Sequence, residues 1–149
     1  MAVRWTCSAL ALMAIVAGLV APLAGQTPAA PPVFTVQQAE AGKTHYDTTC
    51  APCHGSDLGG ADAPALAGAD FAKAWGAQTT ADLFKYTQGM PPGGTPLPDD
   101  DNLAVVAYLL QQNGAAAGAT PLQPTTAVKI GGIATGKRPA GAMAVSHRR

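Results

Sequence analysis

Two cysteines and a histidine lie within one five-residue motif, Cys50-Ala51-Pro52-Cys53-His54. Thiols at this spacing can form thioethers to the two vinyl groups on one edge of a porphyrin. The imidazole that follows then lies under the iron and becomes its proximal ligand through a ring nitrogen. The motif therefore predicts one haem c, held covalently by Cys50 and Cys53 and ligated by His54.

Other kinds of site also use paired cysteines. A thioredoxin-like dithiol expects a strand before the motif and a βαβ context, whereas the preceding segment has a helical pattern. A zinc site would need a further ligand from His45 or His147, and the sequence contains no second Cys-x-x-Cys or His-x-His pair. A short pattern can also arise by chance. We favour haem attachment mainly because of the Cys-x-x-Cys-His pattern itself, and an N-terminal export signal and a downstream methionine add to it.

A helix is predicted to deliver the chain to this motif. Thr35-Val36-Gln37-Gln38 matches a capping box, with Thr35 as N-cap and Gln38 three residues later. The helix should begin there and run toward Cys50.

Two further helices are predicted after the motif. One starts at Thr79 or Thr80 and ends at Gln88, before Gly89. The other starts at three consecutive aspartates, which favour a helix N-terminus, and ends before Gly114. Its apolar residues repeat at i, i+3, i+4 and i+7 and predict a buried face. The residues of this face are Leu103, Val106, Ala107 and Leu110.

The net charge of zero conceals an uneven distribution. Residues 33–114 contain three lysines and nine acidic residues, whereas residues 115–149 contain five basic residues and no acid. An acidic middle argues against nucleic acid as a partner, because phosphate binding needs a basic surface on the folded part. The charge instead predicts redox protein partners with a basic docking face.

The N-terminal residues 1–25 have the pattern of a secretory signal peptide. Arg4 precedes an apolar run over residues 9–20, and small residues follow it. The alternative is an uncleaved anchor, because residues 5–23 are apolar over about the length that spans a bilayer. We therefore predict a periplasmic protein, bound to the membrane only if the leader is retained. Cys7 would leave with the leader.

The region from about Thr35 to Gly114 resembles the class I cytochromes c, and in particular the small domains that serve periplasmic dehydrogenases. The cysteine motif followed by Met-Pro is the specific part of this resemblance. The other landmarks are Gly42, Tyr46, Pro64-Ala65-Leu66, Trp75 and Val106-Ala107-Tyr108-Leu109-Leu110. The resemblance implies an all-α fold, the small cytochrome c fold, with three to four helices around one haem. It also implies that the N-terminal helix crosses the C-terminal one at Gly42, with Tyr46 beside the contact.

The resemblance also implies a sixth ligand for the iron. Met90 is followed by Pro91 and Pro92, which cannot continue a helix, so its thioether is placed on a stiff loop. Methionine is more often a core filler than a ligand. The chain's other three methionines, however, lie in the leader or the tail. Met90 is therefore the candidate sixth ligand. Ligation by His54 and Met90 would raise the reduction potential and leave no open coordination position on the iron.

Two further residues acquire roles from the same resemblance. The carbonyl of Pro64 would accept a hydrogen bond from the second ring nitrogen of His54 and fix its orientation. Trp75 would donate its indole N–H to a haem propionate, or serve as a plain core aromatic.

These patterns predict a signal peptide at 1–25, a linker at 26–34, a cytochrome c domain at 35–114 and a disordered basic tail at 115–149. Whether the tail folds back on its own acidic domain or docks on a partner stays open. The predicted function is electron transfer between a dehydrogenase or respiratory complex and an acceptor, by a carrier that is not itself an enzyme. The alternatives are a haem c subunit of a dehydrogenase or oxidase complex, and a haem enzyme or gas sensor with a labile Met90.

Overall fold

The computed structural model describes residues 31–138, so the predicted signal peptide lies outside the described residues. Four helices have seven residues or more, one helix is a single turn, and the described residues contain no strand beyond two isolated bridges. The helices are α1 (Val36–His45), α2 (Ala51–His54), α3 (Ala69–Trp75), α4 (Thr80–Thr87) and α5 (Asp99–Gln112). A π-helical turn, Tyr46–Cys50, joins α1 to α2, and a 3-10 turn spans Ile130–Gly132. The all-α prediction is confirmed.

The crossing of α1 and α5 forms the centre of the fold. Thr35 caps α1, because its hydroxyl accepts a hydrogen bond from the Gln38 N–H at 3.1 Å. Gly42 lies directly on the backbone of α5: a Cβ atom placed there would be 1.8 Å from the carbonyl oxygen of Ala104. Only glycine permits this approach, so the packing role predicted for Gly42 is confirmed.

Tyr46 follows the crossing and begins the π-helical turn. Its side chain is fully buried, and its ring centroid lies 5.3 Å from that of Tyr108 on α5. The hydroxyl donates a hydrogen bond to the carbonyl of Gly55 at 2.7 Å. Burial raises the pKa of Tyr46, so the phenol stays a neutral donor. One aromatic residue thus ties the α1–α5 crossing to the end of the cysteine motif.

The helix α5 is buried on more than the face predicted from its periodicity. Every residue from Asn102 to Leu110 is buried. Packing against α1 and α4 covers part of this surface, while Val105 and Leu109 face an internal cavity. A helix that is buried nearly all round no longer shows its inner face as a simple stripe.

Residues 115–138, called the strap below, are folded, so the prediction of a disordered tail is wrong for this part. Residues 139–149 of the predicted tail lie outside the described residues. Leu122, Ile130 and Ala134 are each at most 1% exposed. The linker prediction for 26–34 also fails at its end, because Val33 and Phe34 are buried in the same core. Single apolar residues fill separate gaps in the core, and such contacts produce no periodic pattern that a sequence could reveal.

The capping box predicted at the start of α1 is only half formed. The Thr35 hydroxyl makes its bond, but the Gln38 side chain is directed to the strap instead. Its Nε2 donates to the Leu122 carbonyl at 3.1 Å, and its Oε1 accepts from the Leu122 N–H at 2.8 Å. Gln38 thus uses its amide to hold a residue 84 positions later in the chain.

Candidate haem site

A cavity of about 630 Å³ lies between α2, α3, α4 and α5. The six residues selected from the sequence for the haem site all line it. They are Cys50, Cys53, His54, Pro64, Trp75 and Met90. The other walls are mainly apolar, with Leu83, Val105 and Leu109 among the contributing side chains.

The cysteine motif forms one wall of this cavity. Cys50 is the N-cap of α2, and Cys53 and His54 are the last residues of that helix. The Nδ1 atom of His54 lies 2.7 Å from the carbonyl oxygen of Pro64. Because a carbonyl only accepts hydrogen bonds, Nδ1 must carry the proton, and the lone pair for a metal is then on Nε2. This contact is the one that the resemblance implies for Pro64.

The loop after the motif brings Pro64 back to His54. Gly55 has a φ of 80°, which ends α2 and turns the chain. Two main-chain hydrogen bonds then fold the loop onto the motif: Gly60 N–H donates to the His54 carbonyl at 2.9 Å, and Ala63 N–H donates to the Cys53 carbonyl at 3.0 Å. Main-chain hydrogen bonds thus hold this loop against the cysteine motif.

Met90 lines the cavity from the end of α4. That helix starts with a complete capping box, in which Thr79 and Asp82 exchange hydrogen bonds. It ends in tight turns, with the Gly89 N–H bonded to the Tyr86 carbonyl at 3.1 Å and the Met90 N–H bonded to the Thr87 carbonyl at 3.0 Å. Pro91 and Pro92 also line the cavity, so the loop that carries Met90 borders the site along its length.

Trp75 lies at the end of α3 and packs edge-on against Tyr86, with 5.2 Å between the ring centroids. Both rings line the cavity, and Tyr86 is 56% exposed. The proposed hydrogen bond from Trp75 to a haem propionate stays a prediction. Asp62 and Asp70 add carboxylates to the lining, whereas no lysine or arginine of the described residues belongs to it.

Several residues of the site were not identified from the sequence. The helix α3 was not predicted, because it has seven residues and buries only Phe71. Leu83, Tyr86, Asn102, Val105 and Leu109 also line the cavity. Val105 and Leu109 are four residues apart on α5, so a second apolar stripe beside the predicted one was the available signal.

The donor set fits a haem c. Two thiols and one oriented imidazole lie on one wall, a thioether lies on the Met90 loop, and the space between is mainly apolar. Burial raises the pKa of the Cys50 thiol, in keeping with an apolar surrounding.

The zinc alternative finds no support within residues 31–138, where no group of three or more His, Cys, Asp or Glu side chains gathers around a common point. His45 instead contacts Asp101 at 3.3 Å, away from the cavity lining. His147 lies outside the described residues.

Comparison with known proteins agrees with this geometry. A family model described as cytochrome c oxidase, cbb3-type, subunit III matches residues 37–109, a range that includes the cysteine motif and Met90. No curated protein and no solved structure matches the chain. Among residues 31–138, no helix has the length and apolar character needed to cross a membrane. The region from residue 37 to 109 is therefore a monohaem c-type cytochrome domain, which binds haem c covalently through Cys50 and Cys53 and serves haem-based electron transfer.

Proposed function

We propose that this protein is a periplasmic electron carrier whose haem iron is ligated by His54 and Met90. The observation that carries the proposal is the shared cavity, which both side chains line, with His54 already oriented by the Pro64 carbonyl. The bound haem supplies the redox chemistry, by alternating between its ferric and ferrous states.

The protein's own residues would support this role in three ways. The contact between His54 and Pro64 keeps Nε2 free for the metal and raises the basicity of the imidazole. The turns that end α4 bring Met90 to the lining of the same cavity. Leu83, Val105 and Leu109 contribute apolar side chains to that lining. A site closed by two protein ligands suits a carrier, since little rearranges when the iron changes charge.

The partner we propose is a redox protein with a basic docking face, not a nucleic acid. Residues 31–138 contain nine acidic residues against six lysines and arginines. Asp62 and Asp70 also line the cavity. Opposite charges on a partner would speed the encounter and favour orientations that bring the two redox centres together. A dehydrogenase or respiratory complex would act as donor, with a separate acceptor.

A second candidate is a haem c subunit of an oxidase or dehydrogenase complex. The description of the matching family model, an oxidase subunit, favours it. Purification from the native periplasm separates the two. A free carrier should elute as a small protein, with an N-terminus between Gly25 and Pro31. Isolation in a stable complex would support the subunit, and recovery only in membranes with Met1 intact would contradict a periplasmic carrier.

Ligand binding tests the carrier against a haem enzyme or gas sensor. The ferric protein should show the weak near-infrared sulfur-to-iron band, and the ferrous protein should bind carbon monoxide poorly near neutral pH. Met90→Ala should abolish the band and admit carbon monoxide. The matched control is Leu97→Ala, which shortens another side chain of the cavity lining and should keep the band. Rapid carbon monoxide binding by the unmutated protein would contradict the carrier.

A further inference from the structure

Asn113 is a fully buried polar residue that follows α5. Its side chain makes three hydrogen bonds. Nδ2 donates to the Leu109 carbonyl at 2.8 Å and to the Leu66 carbonyl at 2.9 Å, and Oδ1 accepts from the Gly68 N–H at 3.0 Å. Both amide protons are therefore used, and two of the three bonds go to residues about 45 positions earlier in the chain.

The bonds of Asn113 fall on the loop that orients His54. Residues 64–68 form neither helix nor strand. Pro64, at one end of this loop, offers its carbonyl to His54 Nδ1. Leu66 is held in the middle by Asn113 and by the bond from its own N–H to the Leu58 carbonyl at 2.9 Å. The contacts from His54 to Asn113 are therefore continuous through five residues of backbone.

The strap also holds Asn113, through its backbone. The Gly136 N–H donates to the Asn113 carbonyl at 3.0 Å. Gly114 has a φ of 93°, and a Cβ atom there would be 2.5 Å from the Lys137 carbonyl oxygen. The Asn113 backbone is thus fixed between α5 and the strap, and its amide is presented to the loop in one orientation.

We propose that Asn113 is a positioning residue of the haem site: by fixing residues 64–68 it fixes the Pro64 carbonyl, and so sets the orientation and basicity of His54. This inference rests on the proposed ligation of iron by His54. A firm bond from Nδ1–H makes the imidazole a stronger electron donor and favours ferric iron. Loosening the loop should therefore favour ferrous iron and raise the reduction potential.

The variant Asn113→Leu tests this inference, because it keeps the branching at Cγ and removes all three side-chain bonds. The matched control is Thr80→Val. Thr80 is 1% exposed, bonds to Thr126 and Val128 of the strap, and does not line the cavity. Both variants remove buried polar contacts, but only Asn113→Leu acts on the loop.

Two readouts distinguish positioning from mere stability. In the folded ferrous holoprotein, NMR should show the His54 Nδ1–H exchanging with solvent at least about tenfold faster in Asn113→Leu, the equivalent of one hydrogen bond. The ratio of ferrous to ferric protein at a fixed potential should rise about three- to tenfold, where tenfold corresponds to 59 mV for one electron. Thr80→Val should change neither. Unchanged exchange and potential in a folded Asn113→Leu protein would overturn the inference.

Hydrogen exchange in the unmutated protein keeps the proposal testable if Asn113→Leu does not fold. The Gly68 amide bonds only to Asn113 among the described contacts, so it reports the state of this link. If the Gly68 amide and the His54 Nδ1–H both exchange when residues 64–68 open, hydrogen exchange should give the same opening free energy for the two protons. A Gly68 amide that exchanges freely while His54 stays protected would overturn the inference. If His54 shows no paramagnetic shift in the ferric protein, the proposed ligation fails instead, and the two failures are thereby distinguished.

Discussion

The α1–α5 crossing and the strap both bury apolar residues in one core, but they hold together differently. The crossing depends on direct backbone contact at Gly42. The strap has little regular structure and is held by single side chains and by hydrogen bonds to other elements. The periodicity and capping residues of a helix can be recognised in the sequence. The strap is instead held by contacts with residues that are distant in the sequence. The comparison shows that a segment without pattern can still be part of the domain.

The corner between α3 and α4 receives more of the strap's hydrogen bonds than any other part of the fold. The Thr80 N–H donates to the Val128 carbonyl at 2.9 Å, and the Ile130 N–H donates to the Gln78 carbonyl at 2.9 Å. This corner connects the helices that carry Trp75 and Tyr86 into the cavity. The strap lies beyond the range of the family match, yet it fixes elements within that range.

The largest effect should follow from removing the strap. A chain that ends at Gly114 loses the buried Leu122 and Ile130 and the bonds to the α3–α4 corner. Each of these side chains contributes about 1.5–3 kcal/mol through its burial, so the truncated holoprotein should be measurably less stable than the full chain. Thermal or denaturant unfolding measures this loss. A truncated protein as stable as the full chain would show that the strap contributes nothing to the stability of the domain.

Glycine-to-alanine substitutions should show how much stability depends on close backbone contact in each of the two regions. Gly42→Ala places a methyl group 1.8 Å from the Ala104 oxygen and should cost about 3 kcal/mol. Gly131→Ala, in the strap, meets the Gly76 oxygen at 2.7 Å and should cost less. Gly132→Ala meets nothing within 4 Å and should be neutral or slightly stabilising. Equal effects at Gly42 and Gly132, measured by denaturant unfolding, would contradict the close backbone contact.

A smaller loss is expected when the strap is detached from α1 alone. Gln38→Ala removes both bonds to Leu122 while the Thr35 cap remains. It should cost about 1 kcal/mol. Gln37→Ala is the matched control, because its neighbouring side chain is exposed and should cost little. If the two variants unfold at the same denaturant concentration, the Gln38 contact contributes nothing measurable.

The smallest effect concerns pH. The Thr79 hydroxyl and N–H beside Asp82 lower the pKa of that carboxyl. The ionised cap should therefore stabilise the fold above the ordinary aspartate pKa of about 3.9, and lose its effect as the pH falls through the lower folded value. Thermal midpoints of the parent and Asp82→Asn should differ near neutral pH and converge in acid. A difference that stays constant across this range would contradict the role of the charge.

The sequence predicted the parts of the molecule that local rules determine. The cysteine motif, the cap at Thr35 and the helices α4 and α5 each have a local signature, whereas the role of Gly42 followed from the resemblance. The strap and Asn113 have none, because most of the hydrogen bonds that tie them to the rest of the fold join residues 45 or more positions apart. Gln38 shows the same limit: its place in the capping box was identified, but its real partner, Leu122, was not. The haem ligands follow from the motif and the resemblance, and their ligation stays a prediction.

X-ray absorption at the iron edge tests the central claim most directly, because it reports the iron ligands in both oxidation states. If His54 and Met90 ligate the haem of a carrier, the spectra should show a sulfur ligand beside the nitrogen ligands in ferric and ferrous protein alike. Met90→Ala should remove the sulfur contribution from both. An oxygen ligand or a vacant position in either state of the unmutated protein would contradict the account and leave the iron open to substrates or gases.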